Sequence, residues 1–288
     1  MWDRIEPLMP ADPVRGRRWA DHRRTLEAIA WKYRTNSPWR DLPDELGSFQ
    51  TAHKRLIRWA VDGTWEMILA AVLAAADADD DLDWTVSVDS TVVRAHQHAA
   101  GARKRGRPTA VSADHALGRS RGGLSTKVHL AADGRARPLA FTVTAGQAGD
   151  APAFETVMSR IRVPRTGPGR PRTRPLAVLA DRAYSSRAIR SHLRRRGIRA
   201  VIPQPSDQIG HRLRRGRLGG RPPGFNSEAY KQRNTVERCI NRLKQWRGLA
   251  TRTDKLAIAY QAALHLAGIL IWIRRWPKRQ NLVHRYPL

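Results

Sequence analysis

Three carboxylates in this chain stand where phosphoryl-transfer chemistry would need them. Asp89 follows the apolar run WTVSV, Asp181 follows PLAVLA, and Glu237 is the only acid in the basic stretch YKQRNTVERCINRLKQWRG (230–248). An ionised carboxylate beside a core is costly unless it is paired, hydrated or bound to metal. Acids at strand ends also serve as caps and turn residues, so either aspartate alone leaves both readings open. The pair in one sheet favours a site. Glu237 has an ordinary reading as well, pairing with Arg233 or Arg238 on a solvated helix.

Helical spacing argues for more than solvation. At about 100° per residue, Tyr230, Arg233, Glu237 and Lys244 fall within roughly a 60° arc. Val236, Cys239, Ile240, Leu243 and Trp246 form a separate apolar arc, while Lys231, Arg238 and Arg242 face solvent. Glu237 thus lies at the edge of the buried face, sharing a stripe with one aromatic and two cations. Three such acids suit two Mg²⁺ ions, with Mn²⁺ able to substitute, because Mg²⁺ takes oxygen ligands and keeps several waters. Two ions about 4 Å apart can bind both the attacking and the leaving oxygen of a phosphodiester.

The elements that must carry these acids are legible in outline. WTVSVDSTVVRAH (84–96), TKVHLAAD (126–133), PLAFTVTAG (138–146), PLAVLAD (175–181) and IRAVIPQ (198–204) read as strands. The second and third form a hairpin around an Asp133-Gly134 turn. Asp150 is expected to cap a helix running to about Arg160, and a second helix runs from about Ser185 to Arg196. The order β, β, β, α, β, α, β, then helices, describes an α/β mixed sheet flanked by helices.

Residues 1–76 read as helical. Gly47 ends a short helix, Ser48 caps the next, and Leu56, Ile57 and Ala60 point inward. Gln50, Thr51, His53, Lys54, Arg55 and Arg58 remain for its outer surface. A helix, a tight glycine turn and a basic helix outline a helix-turn-helix, and a plain bundle with a basic face fits the same residues. DADDDLD (77–83) reads as an acidic, solvated linker. Residues 101–123 and 208–227, rich in Arg and Gly, carry no core signal and suit phosphate-gripping loops. His96 and His98 alternate along a strand but lack a third metal ligand.

Composition sets the partner. The 288 residues hold 53 Lys+Arg against 25 Asp+Glu, a formal net charge of +28. Such a chain attracts polyanions, nucleic acid before membrane surface. One cysteine, Cys239, excludes an intramolecular disulfide, and MWDRIEPLMP lacks the basic start of a signal peptide. The expected compartment is a reducing cytoplasm. The apolar run Leu256–Ile273 carries Tyr260, Gln261 and His265 and reads as a buried core helix, so no membrane partner is expected. No P-loop pattern occurs, and no nucleotide cofactor is expected.

These residues resemble the DDE transposases of bacterial insertion sequences, specifically the insertion-sequence-five group. The signature Tyr, two residues, Arg, three, Glu, six, Lys is met by Tyr230, Arg233, Glu237 and Lys244. VSVDSTVVRAH around Asp89, VLADRAYSS around Asp181, WRDLP (39–43), GRSRGGLSTKVH (118–129) and TAGQAGD (144–150) extend the likeness over nearly the whole chain. The resemblance implies an RNase-H-like catalytic domain (84–288) behind a helical DNA-binding region (1–76). It implies Asp89 on the first strand, Asp181 on the fourth and Glu237 on a following helix, as catalytic metal ligands. Its substrates would be double-stranded DNA, both element ends and target, held by a homodimer or larger assembly. Tyr230, Arg233 and Lys244 would orient DNA near the cut, and the N-terminal helices would bind the terminal inverted repeats. Two rival functions use many of the same residues: a nuclease of this fold that cuts without joining, and a non-enzymatic DNA-binding regulator.

Overall fold

The structure, a computed structural model, describes residues 2–13, 15, 18–100 and 115–275. Two 3-10 turns, Trp2–Arg4 and Glu6–Leu8, precede three helices, α1 (His22–Thr35), α2 (Phe49–Val61) and α3 (Thr64–Ala78). The Asp21 carboxylate accepts from the Arg24 amide at 2.6 Å and caps α1, and left-handed Asn36 closes it. The helix expected before Gly47 is a single 3-10 turn, Asp44–Leu46, because Pro43 and Gly47 leave room for no more. Ser48 sits at the N-cap of α2, yet its hydroxyl donates to Gln50 rather than receiving a backbone amide. The expected helix-turn-helix outline at 44–61 is therefore not formed there. Instead α2 and α3 meet at 69° across Gly63, whose φ of 78° permits the turn.

The sheet follows the expected order. Strands β1 (Thr85–Ala95), β2 (Gly118–Ser120), β3 (Gly123–Ala132) and β4 (Pro138–Ala145) come first, with the short helix α4 (Gln97–Ala100) between β1 and β2. Helix α5 (Asp150–Ser159), β5 (Ala177–Ala180), α6 (Arg187–Arg195) and β6 (Arg199–Val201) follow. β3 pairs antiparallel with β1, β2 and β4, whereas β5 is parallel to β1 and β6 parallel to β5. An antiparallel trio continued by a parallel pair, in the order β4-β3-β1-β5-β6, is the RNase-H-like arrangement. All four residues of β5 are buried, as a strand covered on both faces requires.

The β3–β4 connection is longer than a two-residue Asp-Gly turn. The Ala136 amide donates to the Asp133 carbonyl at 3.0 Å, and Ala136, not Gly134, takes the left-handed conformation. Gly134 is needed for another reason: a Cβ there would lie 2.0 Å from Asp83 Oδ2. The stretch 77–83 is only partly a solvated spacer: Asp79 and Asp80 are exposed, but Asp77 and Asp81 are paired. Asp77 lies in α3 and accepts from Trp84 Nε1 at 2.7 Å and Arg172 at 3.2 Å. Asp81 is buried and pairs with Arg135 and Arg137. Arg137 also donates to Asp133 at 2.7 Å and lies 3.8 Å over the Trp272 ring. Basic residues beyond the stretch, invisible to a local charge count, pull these acids inward.

The remaining elements are α7 (Ser206–Arg214), α8 (Ser227–Lys231), α9 (Asn234–Lys244), α10 (Arg247–Ala250), the two-residue β7 (Thr251–Arg252) and α11 (Ala257–Arg275). Among the described residues α11 is the one unbroken helix long and apolar enough to cross a bilayer, but it packs against α2, α3 and β4. Its Tyr260 hydroxyl and Trp272 indole are fully buried and donate to the carbonyls of Leu249 and Pro138, each at 2.7 Å. Satisfied polar tips make a core helix of it. Through α11 the N-terminal helices and the sheet join a single hydrophobic cluster.

Candidate active site

The topology brings the first two acids together. β1 and β5 run parallel, with Val88 opposite Ala180. The next residue on each strand is Asp89 and Asp181, on chains about 4.8 Å apart. β1 continues past Asp89 because β3 still pairs with it there, Asp89 opposite Leu130. β5 stops at Ala180, and Asp181 caps the following 3-10 turn by accepting the Ala183 amide at 2.9 Å. The cap reading and the site reading of Asp181 are thus compatible.

Glu237 arrives from the other direction. The segment 230–244 is not one continuous helix: α8 ends at Lys231, and Gln232–Arg233 forms a turn before α9. Val236, Cys239, Ile240 and Leu243 are buried, as the spacing implied, and α9 lies across β1 and β3. Each such side chain contributes roughly 1.5–3 kcal/mol. Thr235 Oγ1 donates to Ser87 Oγ at 3.0 Å and fixes the helix on the Asp89 face of β1. Arg242 differs from expectation, donating to the Ala136 carbonyl at 2.8 Å instead of pointing only to water.

Arg233 links the site. Its guanidinium donates to Asp89 Oδ2 at 2.7 Å and to Glu237 Oε1 at 2.5 Å. Glu237 does pair with Arg233, but the pair is shared with Asp89 and is no isolated surface contact. Burial raises the Asp89 pKa above the usual carboxylate value; Arg233 and the Ser90 amide oppose this, and the charges of Asp181 and Glu237 reinforce it. Burial works against the Arg233 charge, yet Asp89 and Glu237 outweigh it and hold the pKa up.

All three acids offer the hard oxygen donors a divalent cation takes. With Arg233 between Asp89 and Glu237, no three ligating side chains among the described residues close into a metal cluster. The donor chemistry fits the ion, and the guanidinium occupies part of its charge-balancing role.

The other expected site residues divide. Tyr230 packs beside the β5–β6 cluster and stacks with Phe225, ring centroids 5.3 Å apart. Lys244 is half-buried, with its pKa lowered by burial, and among the described residues it makes no ion pair with the acids. On α2, Gln50, Lys54 and Arg58 are exposed and Thr51 partly so. Arg55 is not on that outer face: it is 7% exposed, its guanidinium 3.4 Å over the Trp19 ring. As packed, it cannot reach a phosphate. His96 and His98 stack edge to face after the strand, with His98 on α4, so they do not alternate along β1.

Sequence reasoning missed the far side of Asp89. Asp150 is the first residue of α5 and does not cap it, since Gly149 holds the cap position. Its carboxylate accepts from Ser90 Oγ at 2.6 Å and Lys127 Nζ at 3.0 Å. Burial disfavours its charge, but those two donors outweigh burial and hold its pKa below the usual value. His129, opposite Ser90, shares its Nε2 with Thr144 at 2.8 Å, and burial depresses its pKa to about 4. The buried Tyr184 phenol has its pKa raised by burial and by Asp150, Asp89 and Asp181. The visible signal was the alternation of polar Ser90, Lys127 and His129 along strands with otherwise apolar neighbours.

The basic segment before α8 stands off the core. Part of it forms α7, a helix where a loop was expected, and Leu218 is 90% exposed. The other expected loop lies outside the described residues over 101–114.

Comparison with known proteins decides the family. Residues 81–272, two thirds of the chain, match the model described as "Transposase DDE domain". The chain belongs to the DDE transposase family. It is an enzyme of DNA transposition. Residues 1–69 of this DDE transposase match a second model, "Putative transposase of IS4/5 family". A Brucella ovis relative named "Putative transposase for insertion sequence element IS6501" is 28% identical over 151 residues, 52% of this chain and 100% of the relative. "Uncharacterized protein y4sN" of Sinorhizobium fredii is 40% identical over 105 residues, 36% of this chain and 79% of the relative. The catalytic domain of Mos1 mariner transposase aligns with a TM-score of 0.24 and 11% identity over 76% of this chain and 91% of that one. That likeness is too loose to weigh; the strand order carries the fold.

Proposed function

We propose that this transposase, of the insertion-sequence-five group, cuts DNA at the ends of its element and joins the released 3′-hydroxyl to target DNA. The observation that carries this is the adjacency of Asp89 and Asp181 at one step of parallel strands, with Arg233 linking Asp89 to Glu237. Asp89, Asp181 and Glu237 would hold the divalent ions, Mg²⁺ by preference. When bound, the ions supply Lewis-acid stabilisation of the attacking and leaving oxygens of the phosphodiester.

The chain's own residues do the rest. Arg233 is the group to leave the carboxylates and take a DNA phosphate, since its planar fork suits both. Tyr230 and Lys244 would orient the DNA strand near the cut. Residues 1–76 present Gln50, Thr51, Lys54 and Arg58 to the terminal repeats, and residues 84–288 form the catalytic part. The arginines of 206–226 add non-specific grip. Holding two ends at once calls for a dimer or larger assembly.

A strand-transfer assay tests the reading: labelled DNA bearing the element's ends, a plasmid target and Mg²⁺, with Asp89→Asn and Glu237→Gln alongside. Joined product from the wild type, and none from variants that still bind DNA, is the expected result. Full cleavage by Glu237→Gln would remove that residue from the site. Cleavage without joining would identify a nuclease, and binding with neither a regulator.

A further inference from the structure

We infer that the cavity where α1, α9 and α11 meet is a phosphate-binding site separate from the carboxylates. It encloses about 270 Å³ and is lined by Arg34, Arg242, Gln245, Trp246 and Arg274 with apolar neighbours from α11. Three helices each contribute one guanidinium, and no acid lies among the described lining residues.

The charge arrangement differs from that around the two carboxylate-bridging arginines. Arg137 and Arg233 each meet two carboxylates. Among the described residues Arg34 and Arg274 meet none within ion-pair distance, although they share one cavity. Arg34 is half-buried and stacked 4.2 Å over the Trp246 ring, which fixes its plane. Burial and then the Arg274 charge lower the Arg34 pKa, so both press toward neutralisation. The bond from Arg242 to the Ala136 carbonyl fixes the second guanidinium at the wall.

Like charges gathered in a concave, partly desolvated site lower their energy by taking an anion. The donors are arginine forks plus the neutral amide of Gln245, and a tetrahedral oxyanion meets several forks at once. The volume admits one or two phosphate groups. Arg242 and Glu237 share α9 but stand about 140° apart around its axis, so the cavity is distinct from the carboxylate site. Its phosphate can come from a DNA backbone or from a small free phosphate compound.

The test uses the whole protein and needs no strand cleavage, so it stands apart from the active-site reading. Arg34→Gln/Arg274→Gln is compared with Arg194→Gln/Arg195→Gln on α6, an equal charge loss elsewhere. Inorganic pyrophosphate is titrated by calorimetry, and affinity for a short DNA duplex is followed against salt. The expected result is pyrophosphate binding by the wild type, weakened at least about tenfold in the cavity variant and little in the α6 variant. A salt slope reduced by about 1 more than in the α6 variant assigns the site to a DNA phosphate. Equal slopes with the pyrophosphate loss assign it to a free phosphate compound. No pyrophosphate binding, or equal weakening in both variants, overturns the proposal. Arg274→Gln alone, at an exposed position, keeps the test open if the double variant does not fold.

Discussion

Arg137 between Asp81 and Asp133, and Arg233 between Asp89 and Glu237, use the same three groups in opposite surroundings. Arg137 is 1% exposed and Asp133 fully buried, so that trio is sealed. Glu237 keeps about half its side chain in water, and Arg233 and Asp89 are partly open. A sealed trio cannot trade partners, because each released charge would stay desolvated. An open one can, because water and an incoming ion or phosphate receive what is released. Burial, not composition, separates a sealed ion cluster from one open to exchange.

The largest effect should come from breaking the sealed trio. Arg137→Met leaves Asp133 charged and buried, and should cost about 3–5 kcal/mol, lowering the melting temperature by about 10 °C. An unchanged melting curve would refute the sealed-cluster reading. The matching Arg233→Met change should cost under about 1 kcal/mol of stability, while slowing strand cleavage about 10²–10³-fold. Equal stability losses at the two arginines would erase the contrast.

Acid should probe the sealed interior next. Burial depresses His129 and His265 to about 4, from an unfolded value near 6.5. The unfolded chain therefore takes up protons that the folded chain refuses. Stability is full above about pH 6.5 and falls as the pH drops toward 4, by on the order of 3 kcal/mol per imidazole. His265→Gln should flatten part of that fall in a series of melts from pH 7 to 4. The smallest test separates neighbours on α2. Lys54→Gln should lower the salt slope of DNA binding by about 1, and Arg55→Gln should leave that slope alone while costing about 1 kcal/mol from its lost stacking on Trp19.

Most of the sheet was legible because alternation and apolar runs are local. Val86, Val88 and the stretch 177–180 announce their strands without tertiary help. The apolar arc of α9 was equally plain. What escaped depended on distant partners. Asp77 and Asp81 look solvated until Arg135, Arg137 and Arg172 are folded against them. Arg55 looks like a DNA contact until Trp19 covers it. Asp150 looks like a cap until β1 brings Ser90 beside it. Charged side chains declare their fate only through the groups that meet them, and sequence spacing cannot supply those.

Helix α11 sets a constraint on the protein's synthesis. The apolar faces of α2 and α3 are covered by a helix that leaves the ribosome after the entire sheet. The amino-terminal helices must therefore wait, incompletely packed, while some two hundred further residues are translated. A chain cut short before α11 would carry α2 and α3 without the partner that covers their apolar faces, so their packed form arrives only once α11 has been made.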